Sequence, residues 1–252
     1  FDAFRLRLLD LLILAAILTI TYFAIRRFGK TPAFAAAILF GLKYLQGGPS
    51  MSIQREYLLL VFLAPALYIS LLDEMTPRLR LTLGVLFGLS ALIKPHAAIG
   101  LIPILLFDIS DLVQLLKKTL LNAAKTSIFP AAIGFLVPVL AVFAWLGLTG
   151  ALTPFLRIAT NYWGLYSQIN GQLVVTSGAE RLSQLLTQTI HVGGHALSLI
   201  PAAIGIYFNQ NKKACLLAAL ALAYAIYTTF SGQFFPYHYI PFTYLIILLT
   251  SL

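Results

Sequence analysis

The sequence predicts an all-α fold, a polytopic transmembrane bundle of about nine spans, several of them short, with an outer-face loop region. Two observations of composition and one of pattern predict it. Of the 252 residues, 60% are hydrophobic and only 10% are charged, and the mean hydropathy is +0.91, far from a soluble domain. Apolar runs recur along the whole length, separated by short polar turns. No stretch rich in Pro, Gly or Ser divides them, so the chain reads as one transmembrane domain over 1–252.

The net charge of +9 does not point to nucleic acid, because the basic residues are scattered through short loops between apolar spans, as orientation by positive loops produces. A single cysteine, Cys215, excludes an internal disulfide and any multi-cysteine metal site. The chain opens on Phe1 with neither the cationic start nor the small-residue cleavage site of a signal peptide. It is expected to be a fragment of a longer chain.

Leu8 to Ile25 forms the first span, apolar apart from Asp10, which lies three residues from Arg7 and is expected to pair with it at the membrane boundary. Thr31-Pro32 opens a second helix, with proline in the first turn where its missing donor is harmless. Gly47-Gly48-Pro49-Ser50 breaks that helix. Arg55 and Glu56 stand at the mouth of the third span, Leu58 to Leu72, where they read equally well as a local salt bridge at a helix start and as part of a site.

Leu81 to Ile93 is an apolar run of only thirteen residues, followed by Lys94-Pro95-His96. Proline removes a backbone donor and disfavours helix in the residue before it. Two short helices meeting at Lys94 are therefore expected, not one long bent span. Loop charge agrees: with two helices Arg26, Arg27, Lys30, Arg78, Arg80, Lys117, Lys118, Lys125, Lys212 and Lys213 share the inner side, whereas one long helix reverses every later loop. A charge at membrane depth costs about 3 kcal/mol or more, so Lys94 must face a cavity, a partner or a ligand.

Asp108 to Lys125 alternates leucines with charged residues and reads as an amphipathic helix on the inner surface. Phe129 to about Leu148 is a long span carrying Pro130 and Pro138. Residues 149–190 mix Arg157, Asn161, Tyr162, Trp163, Tyr166, Gln168, Asn170, Glu180 and Arg181, the pattern of an outer loop or interfacial segment. His191 and His195 begin a further span and, at i and i+4, share one helical face, a weak metal pattern with no third ligand nearby in sequence. Leu216 to Phe230 and Phe242 to Leu252 complete the spans, joined by an outer turn through Pro236-Tyr237-His238-Tyr239-Ile240-Pro241.

Three stretches together, Gln54-Arg55-Glu56-Tyr57, Gly88 through Lys94-Pro95-His96, and Pro236 to Pro241, resemble the bacterial branch of the GT-C membrane glycosyltransferases. The likeness is to the mannosyltransferase-like enzymes that use polyprenyl-phosphate sugars, and it extends over most of the chain. It implies an integral protein of the bacterial plasma (inner) membrane that transfers a sugar from a lipid-linked sugar phosphate to an acceptor on the outer face. A divalent metal stays open as a cofactor; the implied partners are membrane lipid and the polyprenyl-phosphate sugar, with no nucleic acid.

On this resemblance Arg55 and Lys94 hold the donor phosphate, His96 and His238 complete the polar pocket, and Gln54 and Tyr237 contact substrate. Arginine forks and lysine point charges are suited to phosphate oxygens. The acid that serves such enzymes sits on a first outer loop, expected before Phe1, and Glu56 is the weaker candidate within this chain. Gln233 stands where a lysine is expected. Two alternatives remain: a non-catalytic, transferase-derived subunit packed with a protein partner in a larger membrane complex, and a lipid or solute transporter built on the broken helix at Lys94.

Overall fold

The computed structural model describes residues 2–168, 178–232 and 234–252. Among them all regular structure is helical, eleven α-helices joined by turns and 3-10 segments. The first helix, α1 (Ala3–Ile25), is capped by Asp2, whose side chain accepts from the Arg5 amide at 2.7 Å. A 3-10 turn over Arg26–Phe28 follows it and ends at Gly29, whose φ of 133° only glycine adopts readily. Next come α2 (Lys30–Gln46), α3 (Arg55–Ser70) and α4 (Pro77–Ile93), the last started by the Thr76 cap and by proline in its first turn.

At Lys94 the backbone is extended, with φ −153° and ψ 111°, and a 3-10 turn over Pro95–Gly100 leads into α5 (Leu101–Gln114). The break is where the proline requires it. Its consequence is read from Arg80 and Asp108, 28 residues apart with Lys94 midway, which form a buried ion pair. The chain must double back to bring them together, so α4 and α5 form a hairpin whose tip is Lys94.

The rest of the chain runs through α6 (Leu120–Leu148), α7 (Leu152–Gln168), α8 (Gly178–Ile190), α9 (Leu199–Phe208), α10 (Lys212–Ser231) and α11 (Ile240–Thr250). The core lies where α3, α10 and α11 meet, at Leu60, Leu67, Leu217, Leu220, Leu245 and Leu248, all fully buried. Lipid tails are as apolar as leucine, so close packing and interhelical hydrogen bonds must hold such a bundle. The Thr21 and Tyr244 hydroxyls, 2.7 Å apart, tie α1 to α11. Helices α4 and α6 approach so closely at Gly84, Gly88 and Gly134 that a Cβ on Gly134 would stand 2.0 Å from the Leu81 carbonyl oxygen.

The protein has the helices of an integral membrane protein, and among the described residues fewer than nine of them are long and apolar enough to cross a bilayer unaided. Four segments are long and apolar enough to cross a bilayer: Ala3–Phe28, Pro95–Gln114, Leu120–Leu148 and Lys212–Phe230. A fifth exists if Gly178–Gly194 and Ala196–Phe208, bent by 53°, count as one. With 17, 16, 17 and 11 residues, α2, α3, α4 and α11 rise at most roughly 25 Å, short of a hydrocarbon core about 30 Å thick. Their apolar character reflects burial among neighbours as much as exposure to lipid.

Two local expectations also change. The amphipathic stretch 108–125 is not one surface helix: its first part ends α5, where Asp108 is buried against Arg80, and Leu120 to Lys125 are the first turns of α6. Alternating charge at Asp108 marks an internal partner, not the interface. His191 and His195 do not share a helical face, because Gly193, at φ 57°, breaks the helix between them. His191 Nδ1 lies 2.9 Å from the Thr187 carbonyl oxygen, and the His195 ring packs on Tyr239 at 5.4 Å. Phe1, Asn170 and Gln233 lie outside the described residues.

Candidate functional site

Glu56 is the centre of the polar cluster at one end of the bundle. It enters the first turn of α3 because the extended Gln54 stops the preceding turn, and its side chain points inward, fully buried. Its Oε1 accepts from Lys94 Nζ, which arrives from the α4–α5 hairpin tip with 8% of its side chain exposed. His238 Nε2 lies 3.3 Å from the same oxygen, carried there by the 3-10 turn Pro236–Tyr239 that opens α11. The local salt bridge between Arg55 and Glu56 therefore does not form. Successive residues on a helix point in different directions, so Glu56 turns into the bundle while Arg55 is exposed.

Tyr227 of α10 forms the wall behind the lysine, with Lys94 Nζ 5.2 Å from its ring centre and the His96 ring 4.7 Å away. The Tyr224 hydroxyl donates to the Ala97 carbonyl at 2.9 Å and pins the hairpin tip to α10. Three stretches far apart in sequence thus meet, at Glu56, at Lys94 with His96, and at His238. Arg55 stands within electrostatic range of Lys94 and His96 and forms no ion pair among the described residues. Gln54 leads into α3, and the Tyr237 ring meets His238 edge-on at 4.6 Å.

Three buried polar atoms of this cluster have no hydrogen-bond partner among the described residues: Glu56 Oε2, His96 Nε2 and the Tyr227 hydroxyl. Buried polar groups are nearly always paired. Their convergence around one lysine gives the cluster unused acceptors and donors, the equipment for holding a polar group from outside the chain. Among the described residues no group of three or more His, Cys, Asp or Glu side chains is arranged to hold a metal ion.

A second buried acid lies next to the first. Asp10 of α1 pairs with Arg7 at 3.0 Å, as its spacing predicts. It is also wholly buried, and its carboxylate accepts from the Tyr44 hydroxyl at 2.5 Å. Tyr57, the residue after Glu56, donates to the Asp10 carbonyl at 3.0 Å and stacks on Tyr44 with ring centres 4.1 Å apart. Sequence reasoning missed Tyr44 and Tyr227 because nothing local distinguishes them from other tyrosines of the membrane interface. The only signal available for Tyr57 was its position beside Glu56.

The segment over 149–190 contains α7 and α8, and α8 docks at this same end. Arg181 donates to the Gly232 carbonyl at 2.7 Å, and the Thr189 and Thr229 hydroxyls are 2.7 Å apart. The turn after α8 rests on Tyr239, beside His238, where a Cβ on Gly193 would come within 2.2 Å of the tyrosine ring. Comparison of the chain with family models, with curated proteins and with solved structures gives no match.

Proposed function

We propose that this integral membrane protein is a glycosyltransferase that takes a sugar from a polyprenyl-phosphate donor and passes it to an acceptor at the membrane end where Glu56 lies. The observation that carries the reading is the meeting of Lys94, His96 and His238 around Glu56, with the exposed Arg55 nearby, which forms no ion pair among the described residues. In transfer the acceptor hydroxyl oxygen bonds to the anomeric carbon and gives up its proton, the bond from that carbon to the phosphate oxygen breaks, and the electron pair leaves with the phosphate. Arg55 and Lys94 stabilise that developing charge by charge-assisted hydrogen bonds. Glu56 orients Lys94, and its free Oε2 is available to a hydroxyl proton of the substrate. The basic ends of α1 and α10 oppose this site, which supports a bacterial plasma membrane orientation with the site outside.

Arg55→Ala is the informative variant, because Arg55 is exposed and its loss leaves no buried group unpaired. In nanodiscs supplied with a polyprenyl-phosphate sugar, the variant should bind donor about tenfold or more weakly, as expected for one charge-assisted bond, at unchanged melting temperature. Unaltered donor binding removes the phosphate from this site.

One observation favours a second reading, a non-catalytic subunit: only 11% of the spanning window of α6 is buried within the chain, leaving a long face for a partner. On that reading the protein keeps a partner through size exclusion and forms no glycosylated product.

A further inference from the structure

The opposite end of the bundle carries a second site with different chemistry. Helix α3 runs from Arg55, beside Glu56, to Ser70, and Asp73 follows it; α10 begins there with Lys212 and Lys213, and Arg26 and Arg27 stand there in the 3-10 turn that follows α1. A pocket of about 420 Å³ is lined by Arg27, Phe28, Asp73, Asn211, Lys212 and Lys213. Three cations face one carboxylate across it. Asp73 pairs with Lys213, and with Arg27 at 3.8 Å, while Lys212 reaches outside the pocket to Asp111.

The start of α10, where the Asn211 side chain caps the Ala214 amide at 2.9 Å, points its N-terminal end, the end of a helix that favours anions, at the same place. A larger cleft of about 660 Å³ shares Asp73, Lys212 and Lys213; Glu74, Asp111 and the paired Arg80 and Asp108 stand on its wall, and its apolar side runs along Met75, Ile104, Phe107, Leu112 and Leu216. A basic pocket continuous with the apolar side of a cleft at a membrane end matches a ligand with an anionic head and a hydrocarbon tail. Free phosphate has use for the first alone.

We propose that this pair of cavities is a binding site for an acidic phospholipid, its phosphate held by Arg27, Lys212 and Lys213 and an acyl chain lying in the cleft beside Phe107. Basic pockets between membrane helices take anionic head groups in this way. Asp73, 86% exposed at its side chain, holds the cations in place and is displaced when a phosphate enters. The assignment is independent of sugar transfer.

The test uses delipidated protein titrated with phosphatidylglycerol or phosphatidylcholine and followed by native mass spectrometry, with inorganic phosphate as a third arm in a thermal-shift assay. Phosphatidylglycerol is expected to be retained over phosphatidylcholine. Arg27→Ala and Lys213→Ala should each weaken it about fivefold, one surface cation's share. Arg27→Lys should retain the lipid, separating lost charge from lost fold, and Asp73→Asn should strengthen binding by removing the competing carboxylate. Equal retention of both lipids, or alanine variants that bind like the unaltered protein, overturns the proposal. Protection by inorganic phosphate equal to that by lipid overturns the lipid assignment in favour of a soluble phosphate.

Discussion

Lys94 and Glu56, 38 residues apart, form an ion pair inside the bundle with almost no solvent contact. Neither charge is affordable there alone, and each side chain is the reason the other can be buried. Removing one partner strands the other, which costs about 3–5 kcal/mol, whereas replacing both with apolar groups of similar size is often neutral. Lys94→Met and Glu56→Leu should therefore each lower the melting temperature in detergent sharply, and the double variant should recover most of the loss. If the double variant is as unstable as the sum of the two, the pair does not interact as described.

The approach of α4 to α6 makes a second prediction. Gly134→Ala puts a Cβ against the Leu81 carbonyl oxygen, an atom of a helix backbone that cannot swing aside. The helices must separate, and overpacking of this kind costs about 1–3 kcal/mol or more. Gly147→Ala on the same helix meets nothing within 4 Å and should stabilise slightly, since alanine favours helix over glycine. Melting curves of the two variants should move in opposite directions.

Among the described residues the Asp10 carboxylate accepts from Tyr44 and Arg7, and Tyr44→Phe removes the first of these bonds. A bond to a charged group is worth about 1.5–3 kcal/mol, and the stacked ring is kept. The variant should unfold at a lower denaturant concentration with an unchanged slope. No shift would place the carboxylate's support elsewhere.

Asp73 gives a pH dependence with a definite sign. The hydrogen bond and charge of Lys213 hold its carboxyl below the usual aspartate range. A carboxyl depressed in the folded state stabilises above its unfolded pKa and loses that contribution as pH falls through the folded value. Any melting-temperature advantage of the protein over Asp73→Asn should be present at about pH 7 and shrink below about pH 4. The effect is small at so exposed a site, and an advantage that grows on acidification contradicts the pairing.

The sequence by itself determined the membrane class and the break at Lys94, because both follow from local chemistry. An apolar run has its hydropathy whatever it packs against, and Pro95 disfavours a helical Lys94 in any context. The Arg7 and Asp10 pair was legible for the same reason, three residues apart on one helix. What only the tertiary structure decided is which charges meet across helices: Glu56 with Lys94 and His238, Arg80 with Asp108, and Asp73 with Lys213. Such partners depend on which face each helix turns toward its neighbours, and that is fixed by close packing at places such as Gly134 and Leu81. Hydropathy could not count the spans either, because a helix buried among other helices and one facing lipid tails present the same apolar side chains.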